Sequence, residues 1–126
     1  MFFLCVECKT PVTKSVSFTD EAPPEVEDED GWVDYPRQGL YTVGDPLGWR
    51  PELYPGMSEY YVFNMADVIN TTHDAERMSG CCGSDGMNGI NLLCPGGHEI
   101  GIEFSDCWQA YHYVQVPPEK VERVEP

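Results

Sequence analysis

The chain has 126 residues, 41% of them apolar and 12% aromatic, enough for one folded domain with a modest core and too apolar for a disordered segment. Its formal net charge of −15 argues against direct binding to nucleic acid or an anionic membrane. It favours a basic protein partner, a cation or plain solubility. Eleven prolines and twelve glycines favour short strands over long helices, and no stretch approaches the roughly 18 apolar residues of a membrane helix.

In chain order, residues 2–6 ("FFLCV") read as a short buried strand. No basic region precedes them, so they do not read as a signal peptide, and the expected compartment is the cytoplasm, where thiols stay reduced. A tight turn, "CVECKTP", leads to a second strand over 12–18 with Val12, Val16 and Phe18 on one face. Residues 20–36 carry eight of the 22 acids, no base and three prolines, and are expected to form an acidic loop within the domain. The glycine- and proline-rich stretch 37–58 reads as irregular structure pinned by Tyr41, Leu47, Trp49 and Tyr54. Residues 59–65 are a strand, and 66–78 are the one helix expected, starting near Asn64 or Asp67. Residues 98–104 and 110–116 are two further strands, and the polar tail 117–126 is expected to fray. The fold class is therefore β-rich, α+β with minor helix: a small single domain over 1–126, built from short antiparallel strands.

The cysteines carry the sharpest signal. Cys5-x-x-Cys8 on a turn next to a strand can point two thiolates at one cation, the knuckle of structural zinc sites. Farther on, "GCCGSDGMNGINLLCPGGHEIG" (80–101) holds Cys81, Cys82, Cys94 and His98. The layout resembles a zinc ribbon, in which an N-terminal CxxC meets a distant pair, and the resemblance implies a structural Zn2+ that staples the core. The second half is not a clean CxxC, because Gly97 stands where a cysteine is expected. The preferred ligand set is Cys5, Cys8, Cys82 and Cys94, with Cys81 and His98 as alternative metal ligands. A metal is favoured over three disulfides, which need export, and over unligated thiols. Glycines at 80, 83, 86 and 89 supply the reversals that bring these ligands back to the knuckle, with "SDG" and "MNG" as turn formers. The run "GCCGSDGMNGINLLC" with "GHEIG" and "SDCW" is also similar to a small bacterial family of uncharacterised proteins, a likeness that implies a compact domain and no particular activity.

Catalytic patterns are weak. His98-Glu99 lacks the second histidine of a zinc-protease helix, the glycine triplets lack the Gly-Lys-Ser/Thr end of a phosphate loop, and a closed four-ligand zinc has no position for water. Asp106 and Cys107 near His112 carry little specificity as a nucleophile pair, and Cys107 and Trp108 are expected in the core. The acidic stretch contains aromatics, so Glu27, Asp28, Glu29 and Asp30 are expected to steer a basic protein partner and Trp32 and Tyr35 to anchor it. The expected function is a non-enzymatic, zinc-stapled acidic binding or inhibitor protein, comparable in size and charge to immunity proteins and phage inhibitors. The alternative is a small metalloenzyme or redox thiol protein using Cys81, Cys82 or Cys107.

Overall fold

The computed structural model describes residues 1–26, 31–48, 56–81 and 83–125. The chain runs through short strands: β1 (Phe2–Cys5), β2 (Ser17–Phe18), β3 (Val33–Asp34), β4 (Leu40–Val43), β5 (Tyr61–Phe63), β6 (Thr72–His73), β7 (Leu92–Leu93), β8 (Glu99–Phe104), β9 (Tyr111–Val116) and β10 (Val121–Val124). Helix among the described residues is limited to three single 3-10 turns, at Met57–Glu59, Met65–Asp67 and Pro118–Lys120. The β-rich single domain is as expected. None of the described helices is long and apolar enough to cross a membrane.

One mixed sheet runs in the order β2-β4-β5-β9-β8-β7-β6, and β3 pairs in parallel with the start of β9. A separate antiparallel ribbon joins β1 to β10, with Phe2 opposite Val124 and Cys5 opposite Val121. Alternation along β5 and β9 buries both faces of the central strands. Phe63, Val114 and Val116 face one cluster with Phe3, Val12, Val16, Tyr41 and Ile100. Val62 and Tyr113 face the other, with Tyr35, Met57, Ile102 and Phe104. Phe3 joins ribbon to sheet: fully buried, its ring lies 5.2, 4.8 and 4.9 Å from those of Tyr41, Tyr61 and Phe63. Such aromatic clusters add to area burial through edge-to-face contact.

Four expectations are corrected by tertiary pairing. The tail does not fray, because β10 hydrogen-bonds to β1 and buries Val121. The helix over 66–78 stops after one turn. Asn64 does cap it, its side chain accepting from Ala66 N at 2.9 Å. Then Lys14 N donates to Asp67 O and Ile69 N to Val12 O, which pulls the next residues into extended backbone, and Thr72–His73 pair with β7. Of the strand over 12–18, only Ser17 and Phe18 belong to a regular strand. Phe18 leaves the apolar face of Val12 and Val16 and is 56% exposed. The stretch 37–58 is not wholly irregular, since Leu40–Val43 form β4 with Tyr41 buried. Leu47 is partly buried against the second cluster, while Trp49 and Tyr54 lie outside the described residues.

Candidate metal centre

Two hairpin turns face each other at one end of the ribbon. The first follows β1. Cys5 N donates to Thr10 O and Lys9 N to Cys5 O, both at 2.9 Å, and Lys9 takes the left-handed φ of 62° that closes the loop. This tight return holds Cys5 and Cys8 on one side. The second turn, "CPGGH", joins β7 to β8, with Cys94 N donating to His98 O and Gly97 N to Cys94 O, again at 2.9 Å. Gly97 supplies a φ of 83°, and Gly96 lies so close to the imidazole that a Cβ there would sit 2.9 Å from His98 Cε1. The loop thus folds back tightly enough to bring a thiol and an imidazole four residues apart to the same point.

Cys5, Cys8, Cys94 and His98 place one donor atom each within 4.8 Å of one another. Cys8 Sγ is 3.5 Å from Cys94 Sγ, and His98 Nδ1 is 3.1 Å from Cys94 Sγ and 3.9 Å from Cys5 Sγ. A tetrahedral ion with metal–sulfur bonds near 2.3 Å and metal–nitrogen bonds near 2.0 Å sets its ligands about 3.5–3.8 Å apart. The observed 3.1–3.9 Å separations bracket that spacing. The four residues are therefore close enough to hold a metal ion, with two donors from each turn.

The turns also set the electrostatics. Cys8 is exposed, and its thiol is lowered to about 6, first by the Thr10 hydroxyl 3.2 Å away and the Thr10 backbone, then by Cys94 and His98. Burial pushes the Cys5 thiol up against the backbone amides of its turn. Hydrogen bonding to Cys94 and then Cys8 raises His98 above the usual imidazole range. The Cys5–His98 edge opens into a small cavity of about 200 Å³ whose rim includes Glu7, Glu99 and Glu119 against the single cation Lys120. Carboxylates around a cation entry path raise its local concentration.

Of the preferred ligands, Cys5, Cys8 and Cys94 come together as the knuckle reading requires, and the fourth donor beside them is His98, one of the two alternatives. Cys82 lies outside the described residues. Cys81 sits elsewhere, in a second group with Asp106 and Cys107. The pairing of Cys94 with His98 had a sequence signal in "PGG", a turn that forces its flanking residues together.

The other sites fall as follows. Glu27, Asp28, Glu29 and Asp30 lie outside the described residues. Trp32 is 49% exposed, with its ring stacked on His112 at 5.0 Å. Tyr35 is buried and donates its hydroxyl to Glu21 O at 2.7 Å, so it supports the fold and is closed to a partner. Cys107 and Trp108 are not core residues: Cys107 is half-buried and Trp108 is 51% exposed, because the turn between β8 and β9 buries Asp106 and Gln109 instead. His112 is buried and donates Nε2–H to Asp106 O at 2.8 Å, which holds the same turn. Compared with protein-family models, curated proteins and solved structures, the chain matches none.

Proposed function

We propose that this is a non-enzymatic binding protein whose small core is stapled by one structural zinc ion, held by Cys5, Cys8, Cys94 and His98. The convergence of four donors from two hairpins far apart in sequence carries this reading. Three thiolates and an imidazole suit zinc by softness and by tetrahedral preference, and a four-ligand site of this kind leaves no position for a reacting water. The staple ties the ribbon to the β7–β8 hairpin, and its binding energy adds to folding. Such a site needs reduced thiols, so the protein works in a reducing compartment such as the cytoplasm.

The partner is a basic protein surface. Trp32 supports this, since its ring is half open to solvent among acids such as Asp34, on a chain with a net charge of −15. Aromatic anchors flanked by carboxylates suit Arg- and Lys-rich surfaces, where charge speeds the encounter and the ring slows release.

Elemental analysis of protein purified under reducing conditions tests the staple. The expected result is bound zinc that Cys94→Ser removes, together with loss of much of the folded signal. Full retention of that zinc in Cys94→Ser refutes it. For docking, Trp32→Ala should shorten the lifetime of the complex with whichever basic partner the wild type captures. Unchanged dissociation places the binding surface elsewhere.

A further inference from the structure

A second set of donors lies in the turn between β8 and β9. Cys81 Sγ is 3.6 Å from Cys107 Sγ and 3.7 Å from Asp106 Oδ1, and the three donor atoms fall within 4.8 Å of one another. The sulfurs are far from the roughly 2.05 Å of a disulfide. They match the separations of about 3.5–3.8 Å around a tetrahedral ion bound by sulfur and oxygen.

The surrounding structure holds these donors in place. Asp106 is 1% exposed, and Cys107 N donates to its Oδ1 at 2.9 Å, fixing the carboxylate toward the thiols. Gln109, also 1% exposed, receives a bond from Asp106 N through Oε1 and donates Nε2–H to Asp85 O, tying the turn to the glycine loop. At positions 80 and 83 that loop lies against the turn with no room for a side chain. A Cβ on Gly80 would come within 3.0 Å of Asp106 Oδ2, and one on Gly83 would run into the Ser105 carbonyl oxygen. The glycines at 80 and 83 thus permit Cys81 to reach the Asp106–Cys107 corner.

We infer that Cys81, Asp106 and Cys107 form a second binding site for a thiophilic divalent cation, separate from the Cys5–His98 centre. Two thiolates and a carboxylate form a donor set of the zinc type, where carboxylate oxygen binds at about 2.0–2.2 Å. The ion pins the glycine loop to the β8–β9 turn, as the first ion pins the ribbon to the β7–β8 hairpin. Neither thiol of this site is buried, Cys81 being exposed and Cys107 half-buried, whereas the first centre has Cys5 and Cys94 at 1% and 2% exposure beside the exposed Cys8, and supplies four donors against three. The second ion is therefore the more exchangeable, and a chelator removes it first.

The test uses the full chain, reduced and stripped of metal, titrated with cobalt(II) and with zinc. Wild type should take up two equivalents, the weaker of which Asp106→Asn and Cys107→Ser each remove while the other remains. His98→Ala should instead impair the tighter equivalent, so failure of the first centre is distinguishable from failure of the second. As a measurement without substitution, zinc should slow iodoacetamide labelling of Cys81 and Cys107 in the unmodified chain at least tenfold, mapped by mass spectrometry. A wild type binding a single equivalent that Asp106→Asn and Cys107→Ser leave in place, a second equivalent that persists in both variants, or labelling of Cys81 and Cys107 indifferent to zinc overturns the inference.

Discussion

Gly96→Ala puts the geometry of the Cys5–His98 centre to a quantitative test. A Cβ at position 96 would lie 2.9 Å from His98 Cε1, 3.1 Å from Nδ1 and 3.7 Å from Cys94 Sγ. Carbon–carbon contact begins near 3.4 Å, so the imidazole must retreat by roughly 0.5 Å. A bound metal tolerates only about 0.2 Å of displacement in each ligand bond. The ring therefore either leaves the ion or strains its turn. The expected loss of zinc affinity is about 10–100-fold, the range seen when a ligand is misdirected, or about 1.4–2.7 kcal/mol. Gly97→Ala is the control. Its φ of 83° makes any side chain strained, at about 1–2 kcal/mol of fold stability, yet nothing lies within 4 Å of the added methyl. Zinc competition against a chromophoric chelator, on variants shown to be folded by circular dichroism, separates the two. Gly96→Ala should bind zinc more weakly than Gly97→Ala, while Gly97→Ala loses stability without losing ligand geometry. Parental zinc affinity in Gly96→Ala would falsify the placement of His98 as a ligand.

Gly86→Ala should destabilise far more than Gly39→Ala although both have left-handed φ, because its Cβ would sit 2.5 Å from Phe104 Cε1 and Gly39 has nothing within 4 Å. Strain plus overpacking gives about 2–5 kcal/mol against about 1–2 for strain alone, and equal urea midpoints for the two variants would rule this out. Burial holds the Tyr113 hydroxyl well above the usual phenol range, so the folded state keeps its proton more tightly than the unfolded one. The resulting stability is complete below about pH 10 and is lost as pH rises above it. Thermal unfolding at pH 9 and pH 11 should show a smaller alkaline loss in Tyr113→Phe, and an unchanged slope would mean that Tyr113 does not drive it.

What the sequence determined by itself was local. Cys5-x-x-Cys8 read as a knuckle because two thiols three residues apart on a tight turn have few other ways to point. The strands at 98–104 and 110–116, and the middle of 59–65 at Tyr61–Phe63, read correctly because their apolar residues and aromatics fit a pleated surface whatever they pair with, while Glu59 and Met65 fall in 3-10 turns. The glycines at 80, 83 and 86 read as necessary, but their reason was not legible. Gly80 and Gly83 make room for the β8–β9 turn and Gly86 for Phe104, contacts made across the fold.

Tertiary structure decided the rest. His98 stands beside Cys94 because the β7–β8 hairpin closes through two glycines, a geometry that ligand spacing alone does not rank above Cys82. The segment after Asn64 has a helix cap and helix-compatible residues, yet its backbone groups find partners in residues 12–14 and in β7, and pairing outweighs propensity. The polar tail becomes β10 because β1 offers it an open edge and a pocket for Val121. The acidic loop is anchored at Val33–Asp34 by β9 and by the Tyr35 hydroxyl on Glu21 O. Cys107 faces the Cys81 thiol and not the core, because Asp106 and Gln109 have already filled the buried side of the turn. In each case the free energy lay in contacts between residues distant in sequence, and a local pattern does not encode which of them will meet.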